Sequence, residues 1–172
     1  WGDHMTAELR NRFLEGMSRA ATFVAVATTD GDAGRYGVTI SSLTSVSADG
    51  EHPSLLACIH HLSPSATAIL NNRGFCANLL GEDQQAVSDL FAGRGKEDAA
   101  SRFAKAAWQP GSHGQPLLTG ATANFECRLA TAVLWETHYI IVGKVTGVWL
   151  SDTPSALLYG QRAYRRAVQF PD

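Results

Sequence analysis

The residues of this chain whose types and spacing suit chemistry are mostly short hydroxyls. Between Tyr36 and Ala48 no residue is charged, and six carry a hydroxyl: Thr39, Ser41, Ser42, Thr44, Ser45 and Ser47. Read as one strand, the run puts Thr39, Ser41, Ser45 and Ser47 on one face with Leu43. That face is polar but uncharged, which suits the carbonyl and N–H edges of a flat heteroaromatic ring. The competing reading is a Ser/Thr-rich strand turned to solvent. A second group, Ser63-Pro64-Ser65-Ala66-Thr67, brackets a predicted helix start. Free N–H groups and the positive end of the helix dipole favour an anion there, and a terminal phosphate fits. The plainer reading is an N-cap, since Ser-Pro suits a helix start for that reason alone. Arg102-Phe103-Ala104-Lys105 offers cations within reach of such a phosphate, or simply solvated helix charge. Glu136-Thr137-His138 ends on a histidine at a predicted strand start. Its ring can enter a pocket mouth there, donate to a carboxamide or phosphate, or change charge near neutral pH. A plain turn histidine is the alternative.

Several chemistries are excluded. The chain has no G-x-G-x-x-G, no G-x-x-x-x-G-K-[ST], no H-E-x-x-H and no G-x-S-x-G. His60 and His61 are adjacent, point to opposite sides of a strand, and make no metal pair by themselves. The three cysteines, Cys58, Cys76 and Cys127, are widely spaced and form no C-x-x-C. They read as small buried hydrophobes in a reducing cytoplasm. Lys and Arg number 14 against 16 Asp and Glu, a formal charge of -2, so a general grip on nucleic acid is not expected. No apolar stretch approaches the ~20 residues that span a bilayer, and no secretory signal is read at the start.

The elements that must position these groups are mainly strands. With 172 residues, 45% of them hydrophobic, the chain suits one domain with a sizeable core. Residues 1–4 read as a cloning scar before a native start at Met5, and 5–172 as the domain. A helix is predicted from Thr6 to about Ala20, with Leu9, Phe13 and Met17 on one face. Strands follow over Phe23–Ala27, Tyr36–Val46, Ser54–His60, Phe75–Leu80, Ala121–Leu134 and His138–Leu150, with a short one at Ala156–Tyr159. Helices are predicted at Pro64–Leu70, with Ser63 as N-cap, and at Gln84–Phe91 and Glu97–Ala107. Asp30–Gly34 is a turn, and Pro110–Pro116 a loop. The last two long strands are adjacent without a crossover helix. The architecture is therefore mainly β: an antiparallel sheet closed as a split barrel, with a few covering helices.

An ordered set of segments resembles the flavin reductase family with the FMN-binding split-barrel fold. They are Gly37–Ser47, Pro53–Ile59, Ser63-x-Ser65-x-Thr67, Phe75–Leu80, Leu90–Gly93, Arg102-Phe103, Trp108, Thr137-His138 and Leu158-Tyr159. The likeness runs from about Leu9 to Tyr164. Within the family, Thr29–Gly34 and Phe91–Gly93 look most like the small reductase components of two-component 4-hydroxyphenylacetate monooxygenases. The resemblance implies an NAD(P)H:flavin oxidoreductase. FMN, with FAD as the alternative, would lie against Thr39, Ser41, Ser42, Ser45 and Ser47, its phosphate at Ser63, Ser65 and Thr67. Cys58, Ile59, His60, Phe91, Arg102 and Phe103 would complete that site. NADH or NADPH would stack on the flavin near His138 and Tyr164. Glu136 departs from the Gly common at that place in relatives, and its charge mildly disfavours the extra phosphate of NADPH. Members are homodimers with the flavin near the interface. The resemblance implies supply of reduced flavin to a partner monooxygenase. The alternatives are reduction of a bound acceptor such as a cobalt corrinoid, or a flavin-binding module without turnover.

Overall fold

A computed structural model describes residues 6–93, 97–152 and 155–171. The expected cloning scar at 1–4 and the start at Met5 lie outside the described residues. The architecture is antiparallel β with short helices. Helix α1 (Ala7–Ser18) leads into β1 (Thr22–Phe23) and β2 (Ala25–Thr29). Next come β3 (Tyr36–Ile40), β4 (Thr44–Ser47) and β5 (Ser54–His60), then α2 (Pro64–Asn72) and β6 (Gly74–Leu79). Helices α3 (Gln85–Phe91) and α4 (Ala99–Phe103) precede the small hairpin of β7 (Trp108–Pro110) and β8 (Pro116–Leu118). The long pair β9 (Ala123–Trp135) and β10 (His138–Leu150) follows, and β11 (Leu157–Gly160) and β12 (Ala163–Arg166) end the chain.

The main sheet has seven strands in the order β3-β2-β6-β9-β10-β5-β4. Its two edge strands, β3 and β4, are consecutive in the chain. The predicted single run Tyr36–Val46 is therefore broken at Ser41–Leu43, where the chain turns from one edge of the sheet to the other. The break also undoes the shared face predicted for Thr39, Ser41, Ser45 and Ser47. The split is bridged by a side chain: Ser42 Oγ donates to Cys58 O at 2.8 Å and accepts from Cys58 N at 3.1 Å. These bonds serve the two β5 backbone groups in place of a ladder.

Strand β2 is buried along its whole length because both its faces are covered. Its alternation sends Ala25 and Ala27 into one core with Ile40, Ala57, Ile69, Phe75 and Ile141. Val24 and Val26 face a second core with Leu80, Phe91, Phe103 and Leu118. The predicted strand Phe23–Ala27 is interrupted at Val24, whose N–H donates to Leu157 O.

Helix α2 sets the position of the site. Asn72, at its end, accepts from Ala33 N and donates to Gly34 O and Thr29 Oγ1, which pins the β2–β3 turn. Gly34 in that turn has φ +93°, a conformation glycine adopts freely. The start of α2 is thereby laid beside β3. Elsewhere the sequence expectations shift. The helix expected over Glu97–Ala107 is only the five residues of α4, whose start is set by Asp98 accepting from Ser101 N at 2.7 Å. Strands β7, β8 and β12 were not anticipated. Helix α1 has no buried residue, so the Leu9, Phe13 and Met17 face stays exposed.

Cys76 and Cys127 are buried and Cys58 is half-buried, so the expectation of three fully buried thiols holds for two. Burial pushes the Cys76 thiol up, and burial with the nearby Glu126 carboxylate pushes Cys127 up to about 12. Among the described residues no helix is long and apolar enough to cross a membrane.

Candidate functional site

A cleft of about 460 Å³ gathers part of the predicted phosphate site. Its lining includes Tyr36, Gly37 and Val38 of β3 and Ser63, Pro64 and Ser65 at the start of α2. Phe91, Ala92 and Gly93 close another side, and Glu97, Asp98 and Arg102 belong to the segment around α4. Gly37 is required there by space: a Cβ on it would stand 2.8 Å from Phe91 Cε1. Phe91, Phe103 and Trp108 form an aromatic block with ring centroids 4.9–5.6 Å apart. Trp108 Nε1 donates to Phe103 O at 3.0 Å, and the Arg35 guanidinium lies 4.5 Å over the Phe103 ring. This block holds α4 and fixes Arg102, the residue before Phe103.

Arg102 is the telling residue. Its Nε is buried and has no hydrogen-bond partner among the described residues. An unpaired buried donor costs about 1–3 kcal/mol, more when charged, and native proteins rarely leave one. Ser63, in the same cleft, makes no side-chain cap bond to α2. Pro64 brings no N–H, and Ala66 N donates to Ser63 O, so the helix start alone offers few free donors. The serine hydroxyls and the guanidinium must supply most of an anion's contacts. This donor set fits a phosphate monoester, and with it FMN.

The other predicted flavin residues divide. Thr67 is exposed on α2 and is not part of the cleft lining. Thr39 and Ser41 line a smaller cavity of about 170 Å³ with Ser88, Ala92, Tyr159 and Tyr164. Ala92 borders both cavities. Thr39 Oγ1 donates to Ser88 O at 2.7 Å, and Tyr164 Oη donates to Asp89 Oδ1 at 2.7 Å. Tyr164 thus sits with the hydroxyls of β3 rather than with His138. Ser45 and Ser47 lie on the exposed edge strand β4, where Ser47 Oγ donates to Asp49 O. Ile59 is buried in the first core, and Phe103 in the second.

His138 opens β10 directly opposite His60 at the end of β5. Their rings meet edge to face at 5.0 Å, and His60 stacks on His61 at 4.9 Å. The expectation that His60 and His61 point to opposite sides fails because β5 ends at His60 and strand alternation stops there. Thr137 O accepts from His61 N at 2.9 Å, and Ser63 N donates to His60 O at 2.9 Å. The β9–β10 turn is thereby tied to the segment that carries Ser63.

Glu97, Asp98 and the β3 floor were absent from the sequence-based site. The Asp98-x-x-Ser101 spacing carried a usable signal, since it marks a helix start at Ala99. Both carboxyls are held below their usual range. For Glu97 the main cause is the bond from Lys105, and for Asp98 the N–H of Ser101.

Comparison with known proteins bears on the family and the fold. The model of the flavin reductase like domain matches residues 17–167. The FMN reductase (NADH) RutF of Stutzerimonas stutzeri is 37% identical over 156 residues, covering 91% of this chain and 87% of that one. Among solved structures, BorF, the flavin reductase component of a bacterial two-component tryptophan halogenase, is 32% identical with a TM-score of 0.82. It covers 93% of this chain and 99% of that one. A homolog of nitrilotriacetate monooxygenase component B from Mycobacterium thermoresistibile is 27% identical with a TM-score of 0.86, over 96% of this chain and 92% of that one. The family match covers nearly the whole barrel and the cleft built on its β3 edge, and the chain belongs to the flavin reductase like domain family.

Proposed function

We propose that residues 5–172 form a single NADH:flavin oxidoreductase domain whose cleft takes FMN, with the phosphate against Ser63, Ser65 and Arg102. The observation that carries the reading is the buried, partnerless Arg102 Nε in the cleft that also holds both serines. The RutF name, FMN reductase (NADH), supports FMN and NADH as the pair. Bound flavin supplies the hydride-accepting ring, so the chain needs no acid or base of its own at the reacting atoms. Its residues bind and orient. Gly37 lets Phe91 pack close and shape the floor, and the aromatic block holds Arg102. His138, tied through Thr137 and His61 to the α2 start, positions the nicotinamide donor.

The likeness to BorF, a flavin reductase component of a two-component halogenase, and to the homolog of a monooxygenase component B supports supply of reduced flavin to a partner oxygenase. A homodimer is supported by the exposed Leu62, Val133, Leu134 and Trp135 near the His60–His138 end of the barrel. The three free thiols fit a reducing cytoplasm.

Arg102→Gln tests the site. FMN affinity should fall by about 1.5–3 kcal/mol, the range for hydrogen bonds to charged groups, while riboflavin, which lacks the phosphate, binds as before. Equal FMN titrations of variant and parent would place the phosphate elsewhere.

A further inference from the structure

The β9–β10 hairpin closes on two residues, Glu136 and Thr137, since Trp135 pairs with His138. Glu136 has φ +50°, a left-handed conformation that glycine adopts freely and a glutamate adopts at a cost. Residues 135–138 are all exposed, so no core contact fixes the turn. His61 fixes it from outside. Its backbone N–H and its ring Nδ1 both donate to Thr137 O, at 2.9 and 3.0 Å. A carbonyl oxygen carries no proton, so Nδ1 must carry one, and both lone pairs of Thr137 O are then engaged. The hydroxyl of the same threonine lies 2.9 Å from His138 Nδ1. Thr137 thus links the two rings: His61 holds its carbonyl, and its hydroxyl holds His138. No other hydrogen bond engages the His138 ring among the described residues, which leaves Nε2 open to a ligand.

The bond from the His61 ring is not needed to pair the strands. β9 and β10 run 13 residues each, and β5 pairs with β10 from Ser54 to His60. What the bond changes is the place of the tip, since exposed turns open at little cost. We infer that the His61 side chain is a positioning residue for His138: its bond to Thr137 O fixes the turn, and through Thr137 it sets the His138 ring at the mouth where the nicotinamide donor arrives. This rests on the proposed role of His138 at the donor. It gives the His61 ring a part in donor binding that neither the flavin cleft nor the core requires of it.

The test compares His61→Leu, which removes the ring donor, with His61→Asn, whose side-chain N–H stands near the place of the histidine Nδ1–H. Ring NMR signals of His138, NADH kinetics and FMN titrations are measured on each. His61→Leu should shift the His138 signals and lower kcat/KM for NADH about 3-fold, the effect of one hydrogen bond. FMN affinity should not change, and His61→Asn should restore both readouts. In a His138→Ala background, His61→Leu should add nothing to the kinetic loss, since the two residues act as one unit. Unmoved His138 signals in the Leu variant overturn the inference, and so does an undiminished further loss in the His138→Ala background. An Asn variant that behaves like the Leu variant also overturns it, because stacking on His60 rather than the bond to Thr137 O would then hold the ring. So does a loss of FMN affinity as large as the loss in kcat/KM, since the turn would then serve the Ser63 segment. His138→Ala alone separates the two levels. If its flavin is reduced at the parent's rate while the His138 signals move in the Leu variant, the donor role of His138 fails and the positioning stands.

Discussion

Two buried polar regions of this barrel are built on opposite terms. In the interior, between β2, β6, β8 and β9, polar groups satisfy one another. Asn78 Nδ2 donates to Val26 O and Thr28 Oγ1, both at 2.9 Å. Asn78 Oδ1 accepts from Leu118 N and Asn124 Nδ2, both at 2.8 Å. Glu126, fully buried, accepts from His113 N at 2.9 Å and Gln115 N at 3.2 Å, and so folds the 111–115 loop against the sheet. In the cleft beside β3 a buried guanidinium nitrogen has no such partner among the described residues. On the proposed reading, the difference separates scaffold from site. A closed network needs nothing more, whereas an open one gains stability when something from outside completes it.

The comparison breaks most visibly at Asn78. Asn78→Leu leaves the buried Leu118 N without its acceptor and Asn124 Nδ2 with Leu118 O alone, and should cost about 3 kcal/mol of stability, since a stranded donor costs ~1–3 and the amide's other bonds are lost with it. Chemical denaturation reads the loss. Flavin affinity of the folded fraction should stay near the parent's, in contrast to Arg102→Gln, which should lower FMN affinity without lowering the stability of the ligand-free protein. A variant of Asn78 that keeps its stability but loses FMN would reverse the two assignments.

A smaller effect is expected at the mouth. His138→Ala removes a ring that packs on His60 but bonds no core group. It should raise the Michaelis constant for NADH and slow flavin reduction about 10-fold, or 1.4 kcal/mol, with little change in FMN affinity. Stopped-flow reduction at the parent's rate would remove His138 from the donor site.

The smallest effect sharpens the boundary of the site. From its sequence pattern Thr67 belongs with Ser63 and Ser65, yet its side chain faces out from α2. Thr67→Ala should therefore shift FMN affinity by less than about 0.5 kcal/mol, as most surface changes do. A loss comparable to that of Arg102→Gln would bring the phosphate around to the outer face of α2.

By itself the sequence determined the elements whose signals are local. Strands β5 and β10 fall where alternation and chain breaks put them, α2 starts at Pro64, and Asp30–Gly34 is a turn. The strand-rich order without crossover helices determined an antiparallel sheet, and the ordered set of weak motifs determined the family. Only the tertiary structure decided which of those residues meet. The uncharged run from Tyr36 looks continuous because β-propensity carries no information about sheet edges; long-range pairing makes β3 one edge and β4 the other. Arg102 and Lys105 look alike in sequence, but packing of Phe103 against Phe91 and Trp108 buries the Arg102 Nε while Lys105 turns to Glu97. Periodicity says which residues share a side of an element. Which side meets the cleft depends on contacts between strands and helices far apart in the chain, and no local pattern encodes those.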